Sequence, residues 1–240
     1  MTGRLFGVGV GPGDPELITR KAERVIREAP VVAYHAGPGR TSNARRIAAG
    51  LIRPDHIELR LVYPVTTGSP PRGESYEEAL RGFYAEAEAA VASHLDAGRD
   101  VAVLAEGDPL FYGSYMHLHI RLAGRYRAEV VPGVASLAAA SAALQAPIAF
   151  RDDVLTVLPG TLSEGELARR LADAGAAVVM KLGRNFAKVR RALDAAGVLD
   201  RALYIERASM AEERIVPVAD VDPAEVPYFA LLLVPGRLRL

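Results

Sequence analysis

Short runs of aliphatic residues alternate with longer segments of helical spacing through the first part of the chain. The run at 5–10 has no polar residue, which is typical of a strand buried on both faces of a parallel sheet. The pattern therefore predicts a mainly parallel sheet covered by helices. The predicted strands span 5–10, 31–34, 100–105 and 127–131, and the predicted helices span 16–28, 43–51, 74–97, 114–122 and 135–144.

The pattern changes at Pro147 and at the charged residues 151–153. Beyond this point strands outnumber helices, which predicts a mixed sheet in a second domain. We therefore expect an α/β protein with domains at 1–148 and 149–240. In the second domain the predicted strands span 154–158, 177–182, 203–206, 215–218 and 229–234, and the predicted helices span 163–174 and 185–196.

A glycine-rich turn follows the first predicted strand. Asp14 is a good helix N-cap and Pro15 a good first helical residue, so local rules alone explain a strand-to-helix turn here. A dinucleotide-binding loop is disfavoured, because Pro12 or Asp14 stands where the third glycine of that motif belongs. The turn by itself is equally compatible with a structural role and with a ligand site.

Two further turns follow predicted strands. One, at 105–114, contains Gly107, Asp108, Phe111 and Tyr112, and the other lies at 130–136. Asp108 could serve only as an N-cap and the two aromatic residues only as core. However, parallel strands bring their carboxyl ends to one edge of a sheet, where ligands bind. The three turns together therefore predict a binding site at that edge.

Composition narrows the class of protein. Basic and acidic residues number 29 each, which argues against a dedicated nucleic-acid binder, and Cys is absent. The chain shows neither an apolar stretch long enough for a membrane span nor the pattern of a signal peptide at its start. His117 and His119 would not share one face of a helix, so we expect no metal site there. These features indicate a cytoplasmic enzyme with a small-molecule substrate.

Five segments in register give the chain its likeness to known proteins. They are 9–17 (GVGPGDPEL), 106–109 (EGDP), 131–134 (VPGV), 178–185 (VVMKLGRN) and 205–209 (IERAS). In order and spacing they resemble the signatures of the tetrapyrrole methylase family. Within it, the segments 32–36, 63–66 and 104–116 are most similar to the branch that methylates C20 of precorrin-2. The cobalt-containing form of that macrocycle, or another position on the corrin ring, is the alternative target.

The resemblance implies a two-domain α/β fold, a homodimer, and S-adenosylmethionine as methyl donor in the cleft between the domains. No metal is required, because a sulfonium already activates its methyl group. Ala135 stands where members often have a hydroxyl residue, and Leu182 where methionine is common, a change that conserves volume. The residues that the resemblance assigns to donor binding are Pro12, Glu106, Gly107, Asp108, Phe111, Ala135, Ser136, Leu182 and Ala208.

After transfer to a carbon nucleophile a proton must leave, and Glu106, Tyr112 and His35 are candidates to take it. The implied substrate carries many carboxylates, so cations should bind it. Arg184 and Lys181 are the candidates, whereas Arg45 and Arg46 suit a solvated helix face. Two competing classes remain, a cobalt chelatase and a non-catalytic tetrapyrrole- or nucleotide-binding module. The first would need a His/Glu cluster that the sequence does not assemble, and the second leaves the donor-site residues unexplained.

Overall fold

The computed structural model of the chain describes residues 1–64 and 75–237, with the backbone alone at Tyr76. The predicted start of the long helix at Glu74, and Val65 and Thr66 of the segment at 63–66, lie outside the described residues. The chain forms two compact units, Met1–Ala135 and Ser136–Leu240. No helix in the described ranges combines the length and the apolarity needed to cross a bilayer.

The first unit is a parallel five-stranded sheet with strand order β3-β2-β4-β1-β5, which confirms the predicted parallel arrangement. Apolar side chains fill both of its faces, so the sheet separates two hydrophobic cores. The strands are β1 (Leu5–Gly9), β2 (Val31–Ala36), β3 (Ile57–Val62), β4 (Val101–Ala105) and β5 (Ala128–Val131), and the helices are α1 (Arg20–Glu28), α2 (Asn43–Ile47), α3 (Tyr76–Asp96) and α4 (Tyr115–Leu122).

The pattern of the sequence did not predict β3. This strand lies at the edge of the sheet, and only Leu61 among its six residues is buried. Its sequence therefore lacks the continuous apolar run that identifies the central strands. The predicted helix at 16–28 also divides, because Thr19 has an extended backbone and caps α1 by accepting a hydrogen bond from the N–H of Ala22.

The second unit is a mixed sheet with strand order β6-β7-β10-β8-β9, as predicted. β6 and β7 are parallel, and β10 runs antiparallel to both β7 and β8. β7 and β8 therefore point the same way and end at the same edge. The strands are β6 (Leu155–Pro159), β7 (Ala176–Met180), β8 (Leu203–Glu206), β9 (Arg214–Val216) and β10 (Ala230–Val234), and the helices are α5 (Ser136–Ala143), α6 (Glu164–Ala172) and α7 (Phe186–Ala195).

The first helix of the second unit is α5, which the sequence pattern assigned to the first domain. Its Ala139 and Ala140 are buried against Val178, Ile205 and Leu231 of the second sheet. The compact units consequently divide before Ser136, whereas the predicted boundary lies after residue 148. Helical periodicity locates a helix in the sequence but does not say which sheet its small residues cover.

Candidate functional site

The carboxyl ends of β1 and β4 are joined by backbone hydrogen bonds beyond the last residues of the strands. The N–H of Val10 donates to the carbonyl of Ala105 (3.0 Å). The N–H of Gly107 then donates to the carbonyl of Gly11 (2.8 Å), and the N–H of Gly11 returns a longer bond to the carbonyl of Gly107 (3.4 Å). The two predicted turns thus form one continuous piece of backbone at the edge of the sheet.

The third turn meets the other two at Gly9. A Cβ atom on Gly9 would lie 2.6 Å from the nitrogen of Gly133 and 2.7 Å from the carbonyl oxygen of Gly107. Both neighbours are backbone atoms, which cannot turn aside as a side chain could. Gly107 also has a φ of 64°, a conformation that favours glycine. Glycine is therefore required here so that three strand ends can approach one another.

Asp108 fastens the second turn to the third. Its Oδ1 accepts a hydrogen bond from the N–H of Leu110 (2.9 Å), as in a capped turn, and its Oδ2 accepts one from the N–H of Gly133 (3.1 Å). The side chain therefore has the capping role that local rules predict, and it also links two strand ends. Pro12 is buried beside the first turn, and the rings of Phe111 and Tyr112 lie 5.0 Å apart edge to face.

Glu106 follows β4 and holds the backbone of the neighbouring helix α2. Its Oε1 accepts a hydrogen bond from the N–H of Ala44 (3.2 Å). Surrounding protein raises the pKa of its carboxyl above the usual value, against the opposing effect of backbone hydrogen bonds. The residue as a whole is nevertheless exposed. Together these observations indicate that protein shields the carboxyl group while other atoms of the residue reach solvent.

His35, near the end of β2, belongs to an aromatic cluster. Its ring stacks on Tyr63 with centroids 5.4 Å apart and lies 6.0 Å from Phe83. The hydroxyl of Tyr63 donates to the hydroxyl of Ser114 and lies 3.3 Å from that of Tyr84. Burial, and then the charge of His117, lower the pKa of His35 to about 4, so its imidazole is neutral at physiological pH.

In the second unit, the ends of β7 and β8 carry the other predicted residues. Lys181 and Arg207 follow these strands with φ values of 58° and 50°, in the left-handed region that side chains rarely adopt. The next residues, Leu182 and Ala208, are the predicted donor contacts, and both are buried at the same edge of the sheet. Arg184 lies in the short helical turn that follows and is exposed, as is Lys181.

A buried carboxylate supports the turn after β8. Glu206 is 4% exposed and accepts a hydrogen bond at Oε1 from the hydroxyl of Tyr204 (2.8 Å). Its two oxygens also accept longer bonds from Arg207 and Arg214, each 3.4 Å. In the turn itself, the N–H of Arg207 donates to the carbonyl of Phe229 (2.7 Å). The left-handed conformation is thus held by contacts on both sides of the strand end.

The structure brings most predicted residues of the first unit together: Glu106, Gly107 and Asp108 follow one strand, and Pro12 follows its neighbour. Ala135 ends the first unit and Ser136 begins α5.

Arg45 is not a simple solvated cation, because it pairs with Glu58 (3.0 Å). Sequence reasoning missed Ser114 and Glu206. Ser114 accepts a hydrogen bond from Tyr63, and Glu206 accepts hydrogen bonds from Tyr204, Arg207 and Arg214. Within the described residues, no three His, Asp or Glu side chains form a group that could hold a metal ion.

Comparison with known proteins extends across the chain. Residues 4–222 match the model of the family described as Tetrapyrrole (Corrin/Porphyrin) Methylases. The cobalamin biosynthesis protein CobIJ of Mycobacterium tuberculosis strain H37Rv is 60% identical over 99% of this chain, which spans only 47% of that protein. The precorrin-2 C(20)-methyltransferase of a Sinorhizobium species is 53% identical over 98% of this chain and 96% of its own length.

A solved structure is also similar. The uroporphyrin-III C-methyltransferase of Thermus thermophilus, complexed with S-adenosylhomocysteine, superposes with a TM-score of 0.68 at 28% identity. The match covers 97% of this chain and 92% of that one.

Proposed function

Because the chain belongs to the tetrapyrrole (corrin/porphyrin) methylase family, we propose that it transfers a methyl group from S-adenosylmethionine to C20 of precorrin-2. The relative named for this reaction supports the choice of substrate, since it matches almost from end to end. The observation that carries the proposal in the structure is the junction of three strand ends at Gly9, Gly107 and Gly133. A Cβ on Gly9 or Gly133 would collide with backbone atoms, and Gly107 has a left-handed φ of 64°.

The donor fits this junction. A ligand that carries an amino acid, a ribose and an adenine needs polar groups and flat apolar surface, and the turns bring glycine backbone close to the rings of Phe111 and Tyr112. We assign donor binding to Pro12, Glu106, Gly107, Asp108, Phe111 and Ala135 in the first unit and to Ser136, Leu182 and Ala208 in the second. Most of these contacts are made by the backbone, so the absence of a hydroxyl at Ala135 is compatible with binding.

S-adenosylmethionine supplies the methyl group on a sulfonium, which needs neither a protein nucleophile nor a metal. The C–CH₃ bond at C20 forms as the S–CH₃ bond breaks, and S-adenosylhomocysteine is the second product. The protein's contribution is to hold C20 in line behind the methyl group, and such positioning can supply roughly 7–11 kcal/mol of the barrier.

The proton on C20 then leaves. Of the three candidates, Glu106 is the best suited to accept it, because burial raises the pKa of its carboxyl and a stronger base results. His35 is a weaker base, with its pKa lowered to about 4. Tyr112 has its ring partly exposed and a φ of 55°. We assign it a place beside the donor and no proton transfer.

The remaining assignments follow from charge. Arg184 and Lys181 are exposed cations at the carboxyl edge of the second sheet, and we assign them to the carboxylates of the substrate. Equal numbers of basic and acidic residues favour a small anionic substrate over nucleic acid. We also propose that the protein is a cytoplasmic homodimer, in keeping with its lack of Cys and with the family resemblance.

The decisive experiment is methyl transfer under anaerobic conditions with ¹³C-methyl-labelled donor. Purified protein should add one methyl group to precorrin-2 by mass spectrometry, and NMR should place the label at C20. Transfer only to the cobalt-containing macrocycle, or to another carbon, would establish the alternative reaction. Failure to bind S-adenosylhomocysteine in calorimetry would refute the proposal as a whole.

The substrate contact has its own test. Arg184→Ala should weaken the binding of precorrin-2 while the affinity for S-adenosylhomocysteine stays unchanged. Arg170→Ala is the matched control, since Arg170 is also a half-exposed arginine of the second unit but pairs with Glu166 on α6. Equal loss of both ligands in Arg184→Ala would contradict the assignment.

A further inference from the structure

An imidazole nitrogen at the carboxyl edge of the first sheet has no hydrogen-bond partner. Among the described residues, three buried side-chain atoms lack one: Nε2 of His35, Nδ1 of His94 and Nε of Arg99. His94 and Arg99 lie at the opposite edge, where α3 ends and β4 begins. Burying a polar atom without a partner destabilises the folded state. All three atoms carry this cost, but only Nε2 of His35 lies at the edge that carries the proposed donor site, where a ligand could pair with it.

The rings that contact His35 are aromatic and carry no charge. Tyr63 and Phe83 cover its ring, and Tyr63 is itself packed 4.4 Å from Phe83. Burial raises the pKa of Tyr63, so its hydroxyl remains protonated. The ionisable groups near the cluster are Tyr84 and His117, whose rings are 4.3 Å apart, and Glu106, which acts on the charge of Tyr63.

This cluster adjoins the proposed reaction site. β2 pairs with β4 in parallel, with Tyr34 opposite Leu104, so His35 and Glu106 leave neighbouring strands at the same edge. β3, which ends next to Tyr63, pairs with the other side of β2. The edge thus changes in character along its length, from glycine backbone at β5, β1 and β4 to aromatic and imidazole side chains at β2 and β3.

We infer that His35 and Tyr63 form a substrate subsite, in which Nε2 of His35 hydrogen-bonds a pyrrole-type nitrogen of the tetrapyrrole. The inference rests on the proposed function and adds a specificity-determining residue to it. A neutral imidazole suits an uncharged ring nitrogen, whereas the carboxylates of the macrocycle would be better matched by arginine. Because Nε2 is closed to solvent, the proposal requires the half-buried ring of Tyr63, which stacks on His35, to move when the flat substrate binds.

The test separates this role from a purely structural one. His35→Phe keeps a ring and removes the unpaired atom, and His94→Phe does the same at the opposite edge. Relief of the unpaired atom should raise the Tm of both variants. Only His35→Phe should also weaken binding of precorrin-2, roughly tenfold or more, with the affinity for S-adenosylhomocysteine unchanged. His35→Gln, which restores a hydrogen-bonding group, should recover part of the loss.

Unchanged binding of precorrin-2 by His35→Phe would overturn the inference, as would equal losses in His35→Phe and His94→Phe. If the Phe variant does not fold, His35→Leu takes its place with the same expectations. Methyl transfer by the wild-type protein is measured in parallel. Its absence would refute the proposed substrate, and the subsite with it. Normal transfer by the wild type together with an unchanged KM for precorrin-2 in His35→Phe would refute the subsite alone.

Discussion

The carboxyl edges of the two sheets shape the backbone at the ends of strands by different means. In the first unit, Gly9, Gly107 and Gly133 let three strand ends touch through main-chain atoms. In the second, Lys181 and Arg207 take left-handed conformations although they carry side chains. Removing the Cβ lets backbone segments approach without strain, whereas a strained residue must be held in place by its neighbours. The second edge therefore depends on side chains that hold strained residues, whereas the first combines close glycine contacts with one side-chain link, from Asp108 to the N–H of Gly133.

Two glutamates show the same contrast. Glu106 follows β4, has one cross-element hydrogen bond, and has a raised carboxyl pKa. Glu206 ends β8, is buried, and accepts hydrogen bonds from Tyr204, Arg207 and Arg214. A carboxylate with spare acceptor capacity and a raised pKa is suited to proton transfer. One that already accepts three hydrogen bonds from the protein is suited to fixing a conformation.

The largest effect is expected from Gly9→Ala, which tests whether the first edge depends on close backbone approach. The new Cβ would lie 2.6 Å from the nitrogen of Gly133, so the β1 and β5 turns must separate. We expect loss of detectable binding of S-adenosylhomocysteine in calorimetry, with destabilisation of about 1–3 kcal/mol or more.

Gly82→Ala is its control, because a Cβ at this exposed helical position meets no atom within 4 Å. It should leave donor binding intact and stabilise the protein by up to about 1 kcal/mol. Normal donor affinity in Gly9→Ala would show that the junction is not the donor site.

The difference between the two edges also explains which features could be predicted from the sequence. The glycine turns and the central strands were predictable, because glycine and continuous apolar runs leave a local pattern. The edge strand β3 was not, since it is mostly exposed. The left-handed Lys181 and Arg207 leave no signal in composition. The pairing of His35 with Tyr63, and of Glu206 with Arg214, joins residues of different segments and depends on how the strands are placed in the fold.

Glu106→Gln should have the next largest effect and should act on the rate. The amide cannot accept the proton, so kcat should fall by about a hundredfold or more, with little change in donor affinity. The rate of the wild type should fall as pH decreases through the raised pKa of Glu106, because the base becomes protonated. The pH profile of Glu106→Gln should lack this limb. If the fall in rate at low pH persists in Glu106→Gln, another group is the base.

Glu206→Gln should destabilise the turn after β8 and weaken donor binding, with no change in the pH profile of the rate. The amide oxygen can still accept from Tyr204, but two arginines lose their counter-charge. Both arginines are more than a third exposed, so solvent screening limits the cost to about 1–2 kcal/mol. We expect a lower Tm and a several-fold weaker affinity for S-adenosylhomocysteine. An altered pH profile would instead indicate a part in proton transfer.

The smallest effect is expected from Arg207→Gly. This variant tests whether glycine can replace a strained residue at the second edge, as glycine already serves at the first. A left-handed conformation costs a residue with a side chain roughly 1–2 kcal/mol, and glycine removes this cost. Glycine also raises the conformational entropy of the unfolded chain, and it removes the 3.4 Å ion pair with Glu206. These terms nearly cancel, so Tm should shift by no more than about 3 °C and donor affinity should hold. Arg207→Val has a branched side chain that disfavours a φ near 50°. It should therefore lower Tm and donor affinity clearly more than Arg207→Gly does. Equal behaviour of the Gly and Val variants would mean that the side-chain anchors, and not the backbone angle, set the position of Ala208.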